Sequence, residues 1–257
     1  MPPISLGIGL SLTMQGRGRA GVAWMPLNLG AALLAWWCAD RSDLITLSGN
    51  QVTSWKDAKN AYDAVQAVSA ARPTWSATGF NGAPGLTLDG IDDCLGMASQ
   101  PFPSGSDPVE IWGVVQQDAL PADTGARHVI SYGGGGATTR RTLSRVVSGG
   151  VNRGAAQIGN GTANPSPANT TIDLSSRHLA RSIVTSTTAS VSVDASALTS
   201  LSVVPATGAA RLRIGASDNA APSAFWSGKI RDVVITSALS TDEATQLQSY
   251  LLARRML

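Results

Sequence analysis

The chain has 257 residues, of which 43% are hydrophobic and only 14% charged, and its net charge is +2. That length and apolar content accommodate one large β domain, and so small a charge excludes a dedicated nucleic-acid binder. Charged residues fall below the roughly 25% usual in soluble domains; Gly, Ser, Thr, Ala and Asn take their place, as in a many-stranded β protein with polar turns.

Residues 1–30 contain no Asp or Glu, and Leu6, Ile8, Leu10 and Leu12 alternate with Gly and Ser. Arg17 and Arg19 follow the apolar stretch instead of preceding it, the reverse of a secretory signal. The segment reads as an extended arm that docks on a neighbouring subunit or as a disordered tail. From residue 31 onward, short apolar runs alternate with turn residues. ALLAWWCA (32–39) reads as a buried strand, and QVTSWKDA (51–58) and GLTLDG (85–90) follow as strands. In LTLDGIDDCLG the Asp89-Gly90 pair marks a turn, with Asp92 and Asp93 at its exit; short acceptors there cap backbone N–H groups without any ligand.

VEIWGVVQQ (109–117), HVISYGG (128–134), RTLSRVVS (141–148) and HLARSIVTS (178–186) continue the β pattern. The glycines at 133–136 lack the Lys-Ser/Thr ending of a phosphate loop. Residues 160–173, with Pro165 and Pro167, read as an exposed loop. ASVSVDA alternates through Val191 and Val193, RLRIGAS through Leu212 and Ile214, and KIRDVVIT (229–236) is the last long strand. Irregular spacings of this kind predict a sandwich or barrel. One helix is expected, over 240–256: Ser240 and Glu243 have capping-box spacing, Ala244, Leu247 and Leu251 share a face, and Arg254 and Arg255 suit the negative end of the helix dipole.

Cys38 and Cys94 are the only cysteines, and without a CxxC or a Cys/His cluster they read as buried thiols, not zinc ligands. His128 and His178 lie inside β runs and read as structural; Arg140, Arg141 and Arg145 read as exposed strand or loop arginines. No segment reaches the roughly 18 apolar residues of a membrane span.

The opening ALLAWWCAD, the stretch VTSWKDA, the ARPTW of residues 71–75, the LDGIDDCLG turn and the closing SGKIRDVVITSALSTDE together resemble the laminin-G-like, concanavalin A-like lectin/glucanase superfamily. The similarity is greatest to versions in tailed-phage and prophage structural proteins. It spans residues 31–257, with Cys38 where relatives often have Asp and Cys94 where they have an aromatic. The resemblance implies an all-β, concanavalin A-like jelly-roll sandwich of two antiparallel sheets, carrying an N-terminal extended arm (1–30) and a C-terminal α-helix. Some members bind calcium between edge loops, which makes Asp89, Asp92 and Asp93 the metal candidates and Asp218 and Asn219 a second source of oxygens. The glucanase branch uses an E-x-D-x-E strand; here Glu110 and Glu243 are the only glutamates, and Glu110 has no carboxylate two or four residues on.

With no G-x-S-x-G elbow either, the expectation is a non-enzymatic structural virion protein without a cofactor, calcium apart. It would assemble as a homo-oligomer, a trimer in similar proteins, contacting other virion proteins through residues 1–30 and touching host-surface glycan. The alternative is a bacterial surface or secreted carbohydrate-binding module, and the third reading a glycan depolymerase. Trp36, Trp37, Trp55 and Trp112 lie in strands and are assigned to the core. The glycan candidates are Trp75 and Trp226, nearer loops, with Asp218 and Asn219.

Overall fold

The computed structural model describes residues 24–59, 62–118, 125–134, 136–148, 150–171 and 176–256. The expected arm lies outside the described residues up to position 23. Its remainder, residues 24–30, belongs to the folded body: Pro26–Ala32 forms a 3-10 turn with Leu29 buried, and Trp24 packs edge-on against Tyr250 at 5.9 Å.

The fold is the expected all-β sandwich with a C-terminal helix. In sheet I, β8 (Val109–Gln117) lies between β13 (Arg177–Val184) and β17 (Ser227–Thr236). Beyond β13 come β14 (Thr188–Val193) and β15 (Thr199–Ser202). The far edge of β17 is shared by β6 (Ala83–Asp89) and β1 (Leu33–Cys38), with β5 (Thr74–Phe80) outside β6. Sheet II runs β12 (Ala168–Thr171), β11 (Val151–Ala155), β10 (Arg140–Ser148), β9 (Arg127–Gly133), β16 (Arg211–Ile214) and β7 (Leu95–Met97). It ends in β4 (Asp63–Val65), β3 (Gln51–Lys56) and β2 (Ile45–Ser48). Every named strand pair is antiparallel, and a single Gln51–Thr74 pairing joins the two layers.

Successive side chains on a strand point to opposite faces, and the central strands of sheet I are buried on both. Trp37, Ile111, Val115, Val233 and Ile235 face the core between the sheets, while Trp36, Trp112, Val114 and Val234 face the helix α1 (Thr241–Met256). That is why these strands read as continuous apolar runs, not alternating ones. Across the gap Ile130, Tyr132, Leu143, Leu212 and Ile214 of sheet II complete the core.

The helix begins as the sequence predicts. Ser240 donates its N–H to Glu243 Oε2 at 2.9 Å, and the Glu243 N–H points back at Ser240 Oγ at 3.4 Å. Leu247 and Leu251 are fully buried against sheet I. Ser240→Ala removes the reciprocal cap and is expected to lower stability by about 1 kcal/mol, read as a shift of the urea midpoint at constant slope.

The helix is also tied down by charge. A bulge between Ile230 and Asp232 inserts Arg231 as an extra residue in β17, and both Arg231 and Asp232 then reach the helix. Asp232 accepts the Trp36 indole N–H at 3.0 Å and Arg254 Nε at 2.6 Å. Asp40 takes Arg254 Nη1 at 2.7 Å and Arg231 Nη2 at 3.1 Å. Arg254 Nη2 lies 3.3 Å from Cys38 Sγ, and burial together with Asp232 pushes that thiol well above its ordinary range. Both cysteines are free and buried, as expected, but in different settings: Cys38 under the helix, Cys94 beside Gln66 and Arg213.

Residues 160–173 are not simply a loop. The Pro165 and Pro167 carbonyls accept N–H bonds from Ile158 and Ala156, and β12 follows directly as the edge of sheet II.

Candidate functional site: the outer face of sheet II

Because Leu212 and Ile214 point inward, Arg211 and Arg213 point outward. Register then fixes their neighbours. Thr142, Ser131, Arg213 and Gly96 lie opposite one another across β10, β9, β16 and β7; Arg140, Gly133 and Arg211 form the next row. The outer face of sheet II is thus polar, cationic and lowered at its glycines.

A loop over residues 215–226 crosses this face. Ser217 and Ser223 bond through their hydroxyls at 3.0 Å, and Asp218, 0% exposed, accepts the Ser131 hydroxyl at 3.0 Å. Arg140 Nε stands 3.2 Å from Asp218 Oδ1 but off the hydrogen-bond direction, so the contact is an ion pair; its Nη2 donates to Asn219 Oδ1 at 2.6 Å. Burial lowers the Arg140 pKa and Asp218 opposes that shift.

On one side of the loop is a recess of about 450 Å³ lined by Arg127, His128, Arg140, Gln157 and Asn164. His128 is buried; desolvation, then Arg140, brings its pKa down to about 3, so the imidazole is neutral at physiological pH. His128 Nδ1 and Asn164 Oδ1 are buried atoms with no hydrogen-bond partner. On the other side a second recess, about 340 Å³, is lined by Gln66, Gly96, Arg211, Arg213 and Ala220.

The sequence candidates fare unevenly against this geometry. Asp218 and Asn219 do lie at the face, but Asp218 is wholly buried and serves to brace the loop, so it cannot touch a ligand. Trp226 is 2% exposed and belongs to the inter-sheet core, which rules it out as a stacking platform. Trp75 is half-buried against the same core and donates its indole N–H to the Ala39 carbonyl at 3.0 Å. Neither tryptophan reaches the outer face of sheet II. Arg140, Arg141 and Arg145, expected to be exposed, are buried and hydrogen-bonded.

Asp89, Asp92 and Asp93 do converge, with one oxygen from each within 4.8 Å of the others. Asp89 Oδ1 already accepts the N–H groups of Ile91, Asp92 and Asp93 at 2.8, 3.3 and 3.4 Å, and Asp93 Oδ2 accepts that of Asp89 at 3.0 Å. Burial, with the charges of Asp89 and Asp92, lifts Asp93 to about 6. These backbone bonds account for the convergence as a turn cap, and three carboxylates supply at most part of the six to eight oxygens that calcium asks for.

The glutamates and histidines occupy structural positions too. Glu110 is buried and accepts Arg181 Nη2 at 2.8 Å, while the Arg181 guanidinium stacks 4.1 Å over Trp112; burial raises the Glu110 pKa. His178 Nδ1 lies 2.7 Å from Asp194, which also receives Arg255 at 2.6 Å, linking β13 and the β14–β15 turn to the end of the helix.

No protein-family model matches the chain, and no curated protein matches it. Solved structures do. Trypanosoma rangeli sialidase is 14% identical over 88% of this chain and 33% of its own, with a TM-score of 0.55. An arabinofuranosidase, solved with arabinofuranosyl-alpha-1,2-xylobiose, is 14% identical over 80% of this chain and 51% of its own, TM-score 0.57. Domain 4 of AbnA, a GH43 extracellular arabinanase from Geobacillus stearothermophilus solved with arabinotriose, is 17% identical over 85% of this chain and 98% of its own, TM-score 0.52. The chain thus spans about a third of the sialidase and half of the arabinofuranosidase, and at these identities the shared property is the fold. These neighbours correct one expectation. The sequence implies a protein without catalysis, yet the same fold recurs in a sialidase, an arabinofuranosidase and an arabinanase, so the fold does not support a non-enzymatic role.

Proposed function

We propose that this chain is a carbohydrate-binding β-sandwich module that receives an oligosaccharide on the outer face of sheet II. The observation that carries the reading is the match to an arabinanase domain solved with arabinotriose, which extends over 98% of that domain. It favours the carbohydrate-binding alternative over the particle-structural role that the sequence motifs implied.

The chemistry of the face supports the same reading. Arg127, Gln157 and Asn164, each partly exposed at the larger recess, present guanidinium and amide groups of the kind that bond sugar hydroxyls. Arg140 is held in place by Asp218 and Asn219, so little side-chain freedom is lost on binding.

A glycan array followed by calorimetry tests this. Specific saccharide binding is expected, and Gln157→Trp, which fills the recess from a partly exposed position, should abolish it without changing the melting temperature. Absence of binding to any saccharide, or full binding by the filled variant, overturns the assignment to this face.

A further inference from the structure

The second recess differs from the first in its charge balance. Arg140, Arg181, Arg231, Arg254 and Arg255 each lie against a carboxylate. Arg211 and Arg213 do not: among the described residues no Asp or Glu comes within ion-pair distance of either. Arg213 Nε is buried without a hydrogen-bond partner, and its Nη1 approaches only Cys94 Sγ, at 4.0 Å. The site makes room for this guanidinium. Gly96 lies directly opposite Arg213, and a Cβ there would come within 3.1 Å of Arg213 Nη1. Two residues apart on one face of β16, the arginines stand about 7 Å from each other. They border a recess continuous in register with the Arg140 row.

A half-buried guanidinium without a counter-charge is costly, and an incoming anion removes that cost through paired, charge-assisted N–H bonds. Arginine's planar fork matches a carboxylate in particular. We propose that Arg211 and Arg213 bind the carboxylate of an acidic sugar unit, so that the module selects uronate-type oligosaccharides over neutral ones. This rests on the carbohydrate-binding reading above and adds a ligand class to it.

Calorimetry on the full chain would compare an oligogalacturonide, its methyl ester, arabinotriose and a heparin-derived oligosaccharide, each at low and physiological salt. The acid should bind at least about tenfold more tightly than its ester, the size of one charge-assisted hydrogen bond, with the gap narrowing as salt rises. Arg211→Gln and Arg213→Gln should each close that gap by about tenfold at an unchanged melting temperature, read as the ratio of acid to ester affinity. Equal binding of acid and ester, or unchanged acid affinity in both variants, overturns the proposal while the carbohydrate reading stands. Tighter binding of the sulfated sugar than of the uronide overturns the carboxylate assignment. If none of the four saccharides binds, this inference fails together with the reading it extends.

Discussion

Asp232→Ala is expected to destabilise the protein by about 3–5 kcal/mol, the range for removing one partner of a buried ion pair. Asp232 is 0% exposed and is the shared acceptor for Arg254 and the Trp36 indole. Without it the Arg254 guanidinium, itself buried, keeps Asp40 as its one carboxylate partner among the described residues, at the edge of the cluster. Urea unfolding would read the loss as a lower midpoint with an unchanged slope. The double variant Asp232→Leu with Arg254→Met removes both charges, and should recover most of it, because filling such a site with apolar side chains is often neutral.

The same cluster gives a pH dependence. Burial alone would raise the Asp40 carboxyl, but Arg254 and Arg231 outweigh it and hold Asp40 below the ordinary range. An acid whose pKa is depressed by folding contributes its stability above the unfolded value, about 4, and loses it as pH falls through the folded value. Acid titration of the midpoint should therefore show a loss below about pH 4 that is smaller in Asp40→Asn.

Trp37→Ala is the second large effect, about 3–5 kcal/mol for truncating a fully buried tryptophan. Trp37 is 0% exposed, faces the core between the layers, meets Phe102 edge-on at 6.3 Å and donates its indole N–H to the Trp55 carbonyl at 3.0 Å. The truncation removes the ring contact, strands that carbonyl and leaves a void between two sheets that cannot close without shifting register. Trp36, its neighbour, points the other way into the helix-side cluster. Comparing Trp36→Ala with Trp37→Ala would separate the two layers: both should unfold cooperatively, but near-ultraviolet dichroism from Tyr250 should change only in Trp36→Ala, since Trp36 packs 6.0 Å from that ring.

Much of this architecture was legible in the residues. VEIWGVVQQ coincides with β8, and Ser240, Glu243, Leu247 and Leu251 play the parts their spacing assigned them. Several strands without a sequence signal are short: β4 and β7 span three residues each, and β15 spans four exposed ones, too few for an alternation to show, while in the seven-residue β5 three successive exposed positions, Ser76 to Thr78, hide it. The outer face of sheet II was illegible for another reason. Arg140 and Asp218 are 78 positions apart, and Arg213 meets Gly96 only through strand register. In RLRI the arginines look like any solvated strand face until the partner strand is known. Trp226 misled in the opposite direction: turn residues flank it, yet a reversed chain carries it straight into the core.

Helix α1 closes over sheet I, the layer opposite the one that bears the two recesses, and the last described residue, Met256, lies on that side. Anything tethered after Met256 would hang from the rear of the sandwich. The outer face of sheet II would then be presented outward, as a palm is when an arm is held by the back of the hand.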